Sequence, residues 1–191
     1  MRSKSKWVII CGILLLVCSF ALMLFSLISA DNAQKESEKI VARLKEVLPP
    51  KTVGVTDSYS SMQMPALKIN GENIIGLLEI TALDVALPIG SSWDKKTLNG
   101  FPQRFSGTVY DNSLIVGGYD SEGQFDCLKK LDIDSVITVT DMTGAQFKYT
   151  VERIERKSSA EADILNGESS SLTLFVRDTY SLDYIIVRCI N

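Results

Sequence analysis

The hydrophobic pattern divides the chain into two regions. A predominantly apolar run, Trp7–Ser29, contains no charged residue, and from Pro65 onward short apolar runs alternate with turn residues. A helix made of the first run would be about 34 Å long, which is enough for a bilayer core of about 30 Å. Short apolar runs separated by turn residues predict β-strands. The pattern therefore predicts an N-terminal helix followed by a β-domain.

The charges around the apolar run predict an orientation in a membrane. Arg2, Lys4 and Lys6 precede it, and by the positive-inside rule they stay in the cytoplasm. We therefore expect a cytoplasmic tail at 1–6, a single-pass anchor at 7–29 and an extracytoplasmic remainder. A cleaved signal peptide is the alternative, because Ala30 is a small residue near a plausible cleavage point, although the apolar part of a signal peptide is normally shorter.

An amphipathic segment, Asp31–Leu48, follows the apolar run. Its apolar residues recur at helical spacing among charged ones, namely Ile40, Val41, Leu44, Val47 and Leu48. Pro49 and Pro50 end the predicted helix, since proline is not tolerated in a helix interior. We interpret 30–64 as a stalk helix and a polar linker; docking of the helix on the domain, or on a partner, is the alternative.

The region 65–191 is predicted to be mainly β. Its strand-like runs are Ala66–Ile69, Ile74–Ile80, Leu83–Ile89, Ser113–Val116, Val136–Asp141, Gln146–Ile154, Leu172–Val176 and Tyr184–Ile190. Turn residues such as Asn70-Gly71 separate several of them. About eight strands with one or two short helices favour a closed β-barrel over a sandwich, because closure removes exposed sheet edges.

One stretch of the β-domain stands out as a candidate site. A buried strand from Asn112 runs into Gly117-Gly118, which we interpret as a turn, and a short helix is predicted after it. Two later strands end or begin in polar or aromatic residues, Arg177 and Tyr184. Strand ends of one small β-domain can converge, so a site at this place is expected.

At these residues the sequence resembles the sortases, surface transpeptidases of Gram-positive bacteria, and within them class D. The resemblance extends over Ile74–Cys189. Ile115-Val116-Gly117-Gly118 stands where the family has Ile-Ala-Gly-His, and Leu172–Arg177 stands where it has Leu-Thr-Leu-Phe-Thr-Cys. Tyr184 stands where the family has arginine.

The resemblance implies a sortase-type barrel whose catalytic groups are substituted. The family's histidine, cysteine and arginine positions correspond to Gly118, Arg177 and Tyr184. The former substrate groove would be lined by these three residues together with Gly117 and Phe175. The resemblance also implies a place in the cell envelope and, as partners, a sorting-signal-like peptide, an active sortase or another envelope protein.

Composition limits the chemistry independently of the resemblance. The chain has no histidine, which excludes a cysteine–histidine pair, a serine–histidine–carboxylate triad and a His-based metal site. Cys127 and Cys189 remain as a displaced nucleophile, as a disulfide, or as buried free thiols. No cofactor or metal site is predicted.

Other polar residues suggest binding rather than catalysis. Arg177, Asp178 and Asp183 form a polar cluster in the sequence, either a recognition site for a peptide carboxylate or a plain ion pair. Nucleic-acid binding is not expected, because the chain has a net charge of -3 and no basic stripe after position 30.

We therefore expect a membrane-anchored, catalytically inactive sortase-like protein that binds a peptide or protein at the envelope. One alternative is an active cysteine transpeptidase with a relocated nucleophile such as Cys127. Another is a structural component whose contacts come from the anchor and the stalk.

Overall fold

The computed structural model describes residues 2–50, 52–53, 63–94, 100–158 and 170–191. Side chains are described for these residues except at 2–10, 24–33 and 53. Most of the predicted linker Lys51–Met64 lies outside the described residues. The side chains at the two ends of the predicted anchor are not described either.

The N-terminal region is one continuous helix, Arg2–Val47. Its end agrees with the stop predicted at Pro49-Pro50. Asp31 and Asn32, at the boundary expected between the anchor and the stalk, lie within this helix. Residues 13–48 contain neither glycine nor proline, so nothing in this stretch interrupts the helical hydrogen bonds. Within the described part of the chain, no helix meets the length and apolarity needed to cross a membrane.

The C-terminal part of this helix packs on the β-domain. Ile40, Val41 and Leu44 are buried in one cluster with Ile69, Ile74, Leu77 and Phe101. Full burial of Ile40 and Leu44 contributes about 1.5–3 kcal/mol for each side chain. The apolar stripe predicted for a free-standing stalk is therefore a docking face, as the alternative interpretation held.

Ten strands follow: β1 (Thr52–Val53), β2 (Leu67–Ile69), β3 (Glu72–Ile80), β4 (Val85–Gly90), β5 (Gln103–Ser106), β6 (Leu114–Tyr119), β7 (Val136–Asp141), β8 (Ala145–Lys157), β9 (Leu172–Arg177) and β10 (Tyr184–Ile190). In the part of the chain that the structure describes, eight of them close a barrel in the order β8-β10-β9-β6-β5-β4-β3-β7, with β7 pairing back to β8. The predicted closed barrel of about eight strands is confirmed. Short 3-10 helices lie at Thr81–Leu83 and Phe125–Lys130.

Hairpin turns set the register of the barrel. Asn70 and Gly71 join β2 to β3 with φ values of 53° and 94°, as the predicted two-residue turn requires. At the β7–β8 hairpin, the buried Asp141 accepts hydrogen bonds from Thr143 N at 2.8 Å and from Ala145 N at 3.0 Å. Tyr110 Oη donates to the other carboxylate oxygen of Asp141 at 2.7 Å. The hairpin is therefore fixed from inside the barrel.

Candidate functional site

The three positions singled out in the sequence come together at one end of the barrel. Strands β6 and β9 are parallel neighbours, so Gly118 faces Val176 and Tyr119 faces Arg177. Strands β9 and β10 are antiparallel, and Arg177 faces Tyr184 directly. The sheet therefore places the positions of Gly118, Arg177 and Tyr184 on three adjacent strands, as expected.

Gly117 and Gly118 do not form the predicted turn. Both lie inside β6, and neither has a positive φ. What requires glycine here is close packing. A Cβ atom on Gly117 would stand 2.4 Å from the ring of Phe175 and 2.5 Å from the ring of Trp93.

Three aromatic rings cover the surface at Gly117. Trp93 and Phe105 meet edge to face with centroids 5.3 Å apart, and each lies 5.5 Å from the centroid of Phe175. The Trp93–Phe105 and Phe105–Phe175 pairs are edge to face, a favoured geometry for aromatic rings. Phe175 is 5% exposed. Gly117 and Phe175, which we expected among the residues that line the former groove, are therefore covered by Trp93 and Phe105.

Arg177 lies at the surface beside Tyr184. Its Nε donates to the backbone oxygen of Leu182 at 3.2 Å, and its guanidinium carbon is 5.8 Å from the centroid of the Tyr184 ring, within cation–π range. The side chain of Arg177 is exposed. This part of the expected binding surface is thus accessible to a ligand.

Asp178, the next residue, does not pair with Arg177, as an ion pair in the sequence cluster would require, but contacts its own loop and other basic residues. Its carboxylate accepts backbone hydrogen bonds from Tyr180 at 2.8 Å and from Ser181 at 3.2 Å. Its ionic partners are Arg156 at 3.5 Å and Lys129 at 3.8 Å. The two backbone hydrogen bonds, with the nearby positive charges, lower the pKa of Asp178. Asp178 therefore fixes the β9–β10 loop.

A second carboxylate joins this loop to the one after β6. Asp120 accepts hydrogen bonds from Lys129 Nζ at 2.6 Å and from Thr179 N at 2.8 Å. Partial burial alone would raise the pKa of Asp120, but these hydrogen bonds and the Lys129 charge outweigh it, and the pKa is lowered. The hydrogen bond to Asp120 likewise raises the pKa of Lys129. The two loops are therefore tied at the rim of the site.

The two cysteines of the β-domain, Cys127 and Cys189, are buried free thiols, and no disulfide joins them in this structure. Cys127 donates a hydrogen bond to Gln124 O at 3.4 Å. Burial, with a smaller effect of the Asp126 charge, raises the pKa of Cys127 to about 12. Burial raises the pKa of Cys189 to about 12 as well. A nucleophilic cysteine needs a lowered pKa or an adjacent base, so neither thiol is placed for a relocated nucleophile.

Sequence reasoning missed the residues that close and tie the site. Trp93 is a single aromatic residue in a polar stretch, and Phe105 lies in β5, whose four residues include only one large apolar side chain. Neither has a periodic signal. Lys129 and Asp120 are nine positions apart on unlike elements, so only the fold brings them together.

No protein-family model and no curated protein sequence matches this chain. Solved structures of the same fold are found among the sortases. The Clostridium perfringens sortase D5 transpeptidase has a TM-score of 0.59 at 18% identity, covering 82% of this chain and 99% of that one. For Corynebacterium diphtheriae sortase A the TM-score is 0.53 at 17% identity, covering 84% and 83%. For Listeria monocytogenes sortase A it is 0.51 at 15%, covering 62% and 88%.

These similarities define the class of the fold. The described part of the chain forms a sortase-type β-barrel, and the converging ends of β6, β9 and the start of β10 are its candidate site. At 15–18% identity the similarity shows the fold alone.

Proposed function

We propose that the protein is a membrane-anchored member of the sortase family, closest to class D, that works outside the cytoplasmic membrane and binds a peptide without transferring it. One observation carries the proposal. Gly118, Arg177 and Tyr184 occupy adjacent strands at the expected site, and they provide neither a thiol nor an imidazole.

The chemistry of acyl transfer supports the absence of activity. A cysteine nucleophile needs a neighbouring base or a cationic group that stabilises its thiolate. Position 177 carries a guanidinium, which is permanently protonated and cannot act as a nucleophile. The two thiols of the β-domain, Cys127 and Cys189, are 6% and 0% exposed. A displaced-nucleophile transpeptidase therefore has no support from the geometry.

The accessible part of the site favours a ligand with a carboxylate. Arg177 is exposed, and its guanidinium can donate two parallel hydrogen bonds to a carboxylate. Tyr119 stands opposite Arg177 on β6 and is 42% exposed, so it offers an aromatic surface beside the charge. The peptide ligand that we propose is an acidic, sorting-signal-like segment of another envelope protein or of an active sortase.

The anchor belongs to the same proposal. Residues 11–23, the middle of Trp7–Ser29, present large apolar side chains to the surroundings: Leu15 is 70% exposed and Leu16 is 71% exposed. A bilayer would cover such a surface. With residues 1–6 in the cytoplasm, the barrel lies on the outer side. The alternative in which the stalk alone mediates assembly is less favoured, because its apolar stripe is already covered by the barrel.

Binding of peptides to the purified full chain tests this proposal. Fluorescent peptides with and without a free carboxylate are titrated against wild type, Arg177→Gln and Arg153→Gln. Arg153 is the matched control, because its side chain is 53% exposed and it lies on β8 in an ion pair with Glu155. We expect Arg177→Gln to weaken binding of the acidic peptide by about tenfold, as loss of a charge-assisted contact does, while Arg153→Gln leaves it unchanged. Equal binding by all three proteins would refute the assigned surface.

A further inference from the structure

The segment Gln34–Pro49, which is the C-terminal part of the long helix and the two residues after it, runs along the barrel from one end to the other. At the β7–β8 hairpin, a Cβ atom on Gly144 would stand 2.9 Å from the backbone oxygen of Pro49. In the loop after β6, a Cβ atom on Gly123 would stand 3.0 Å from the Cα atom of Gln34. Both glycines have positive φ, 84° and 78°. Because these two positions have no side chain, the two ends of the segment Gln34–Pro49 can approach the barrel closely.

The direction of the helix follows from these contacts. Strand β8 begins at the Gly144 hairpin and ends at Lys157, which pairs with Tyr184. Tyr184 in turn pairs with Arg177, at the site end of the barrel. Gly123 follows β6 at that same end, because β6 and β9 are parallel. The helix therefore leaves the barrel at the site end, and its N-terminal half extends beyond it.

The distance along the helix places this end near the proposed bilayer. From Gln34 back to Ser29, where the proposed anchor ends, the helix rises about 7.5 Å. The headgroup layer on each side of a bilayer core is about 5–7 Å thick. If the helix crosses the bilayer close to the membrane normal, Gly123 therefore lies at the height of the outer edge of the headgroup layer.

The loops at this end carry exposed apolar and aromatic side chains. Tyr180 is 91% exposed and Leu182 is 57% exposed, both in the β9–β10 loop, and Tyr119 is 42% exposed at the end of β6. The hydrogen bond from Thr179 N to Asp120 holds the two loops together at 2.8 Å. Tyrosines are typical of the membrane–water interface, where the ring lies among headgroups and the hydroxyl reaches water.

We infer that Tyr180 and Leu182 form a rim that contacts the lipid headgroups of the membrane carrying the anchor, so that the site faces the bilayer. This inference rests on the proposed anchor. A peptide bound at Arg177 would then lie close to the membrane. This position suits a ligand that is itself tethered to the bilayer.

Apolar contact, not charge, carries this interaction. Lys129, Arg156 and Arg177 at this end are balanced by Asp120, Asp178 and other acidic residues such as Glu122 and Asp183. A surface of balanced charge gains little from anionic lipids. We therefore expect the contact to form on zwitterionic vesicles and to persist at high salt.

Quenching of a single tryptophan by brominated lipid tests the inference. The full chain is reconstituted into phosphatidylcholine vesicles with bromine near the headgroup end of the acyl chains. Trp7→Phe and Trp93→Phe provide the background, and the reporter is Tyr180→Trp or, independently, Leu182→Trp. Ile190→Trp is the matched control, because Ile190 is 39% exposed and lies at the opposite end of β10 from Tyr184.

We expect the vesicles to carry the protein on flotation and to quench the Tyr180→Trp and Leu182→Trp reporters about twofold more than Ile190→Trp, since interfacial side chains lie about 5–10 Å into the headgroup boundary. Flotation with equal quenching at all three positions would overturn the rim contact and leave the anchor standing, with the rim free for a protein partner. Failure to float would overturn both the anchor and the rim contact.

Discussion

The ring of Phe125 lies against Gly118, so that a Cβ atom at position 118 would stand 2.9 Å from Phe125 Cδ2 and 3.1 Å from Cγ. Phe125 is fully buried and begins the 3-10 helix Phe125–Lys130. A side chain at position 118 therefore requires the Phe125 side chain to move. The resemblance to sortases places a histidine at position 118. Here the position is glycine, and the Phe125 ring packs where a side chain at 118 would begin.

Gly118→Ala should destabilise the fold by about 1–3 kcal/mol, as overpacking of a core does. Denaturant unfolding measures the change. In a Phe125→Leu background the same substitution should cost less, because the smaller side chain leaves room, and a double-mutant cycle isolates the contact. An equal cost in both backgrounds would show that Phe125 is not what requires the glycine.

Two buried tyrosines should respond in opposite ways to the loss of their hydroxyl groups. Tyr149 Oη is buried and has no hydrogen-bond partner among the described residues, so Tyr149→Phe should leave the free energy of unfolding unchanged or raise it by about 1 kcal/mol. Tyr110 Oη donates to Asp141 at 2.7 Å, and Tyr110→Phe should cost about 1–3 kcal/mol by depriving a buried carboxylate of a donor. Thermal unfolding of both variants measures the two changes in stability. A larger loss for Tyr149→Phe than for Tyr110→Phe would contradict the assigned hydrogen bonding.

The two thiols of the barrel should resist alkylation in the folded protein. Burial raises the pKa of Cys127 and of Cys189 to about 12, so raising the pH from 7 to 9 should not produce a thiolate at either position. Mass spectrometry after iodoacetamide treatment counts the labelled cysteines. Labelling of the same protein after unfolding in denaturant, where its cysteines are accessible, is the control. Rapid native labelling of Cys127 would contradict its placement in the core.

Replacing Lys129 should reduce stability in a pH-dependent way. The folded-state pKa of Asp120 is lowered, so the stabilisation from its charge is present above the unfolded-state pKa of about 4 and is lost as the pH falls through the folded-state value. Lys129→Gln should therefore cost about 1 kcal/mol or less at pH 7 and progressively less toward pH 3.

Lys130→Gln is the matched control for Lys129→Gln. Lys130 is its exposed neighbour on the same 3-10 helix. We expect the control to follow the wild-type pH profile in urea unfolding. A cost for Lys129→Gln that stays constant from pH 7 to pH 3 would argue against the Asp120 pairing.

The parts of this fold that depend on local pattern were predictable from the sequence. Alternating or continuous apolar runs such as Gln146–Ile154 and Leu172–Val176 are strands in the structure, and Asn70-Gly71 is the expected turn. Strand β5 escaped prediction because its residues, Gln103–Ser106, present too little apolar surface for a periodic signal.

The site shows why the rest was not predictable. Glycine pairs commonly signal turns, and nothing near Gly117 in the sequence reveals that the rings of Phe175 and Trp93 press on it. Those contacts join residues from three distant segments. The convergence of Gly118, Arg177 and Tyr184, by contrast, followed from the resemblance to a known arrangement of strands.

Peptide cleavage by the purified full chain tests the central claim, that the sortase fold persists here without sortase chemistry. Wild type and Cys127→Ala are incubated with a sorting-signal peptide and an amine nucleophile, beside an active sortase as the positive control, and products are followed by mass spectrometry. The account predicts that neither protein forms cleaved or transferred product. Turnover by the wild type that Cys127→Ala abolishes would contradict it.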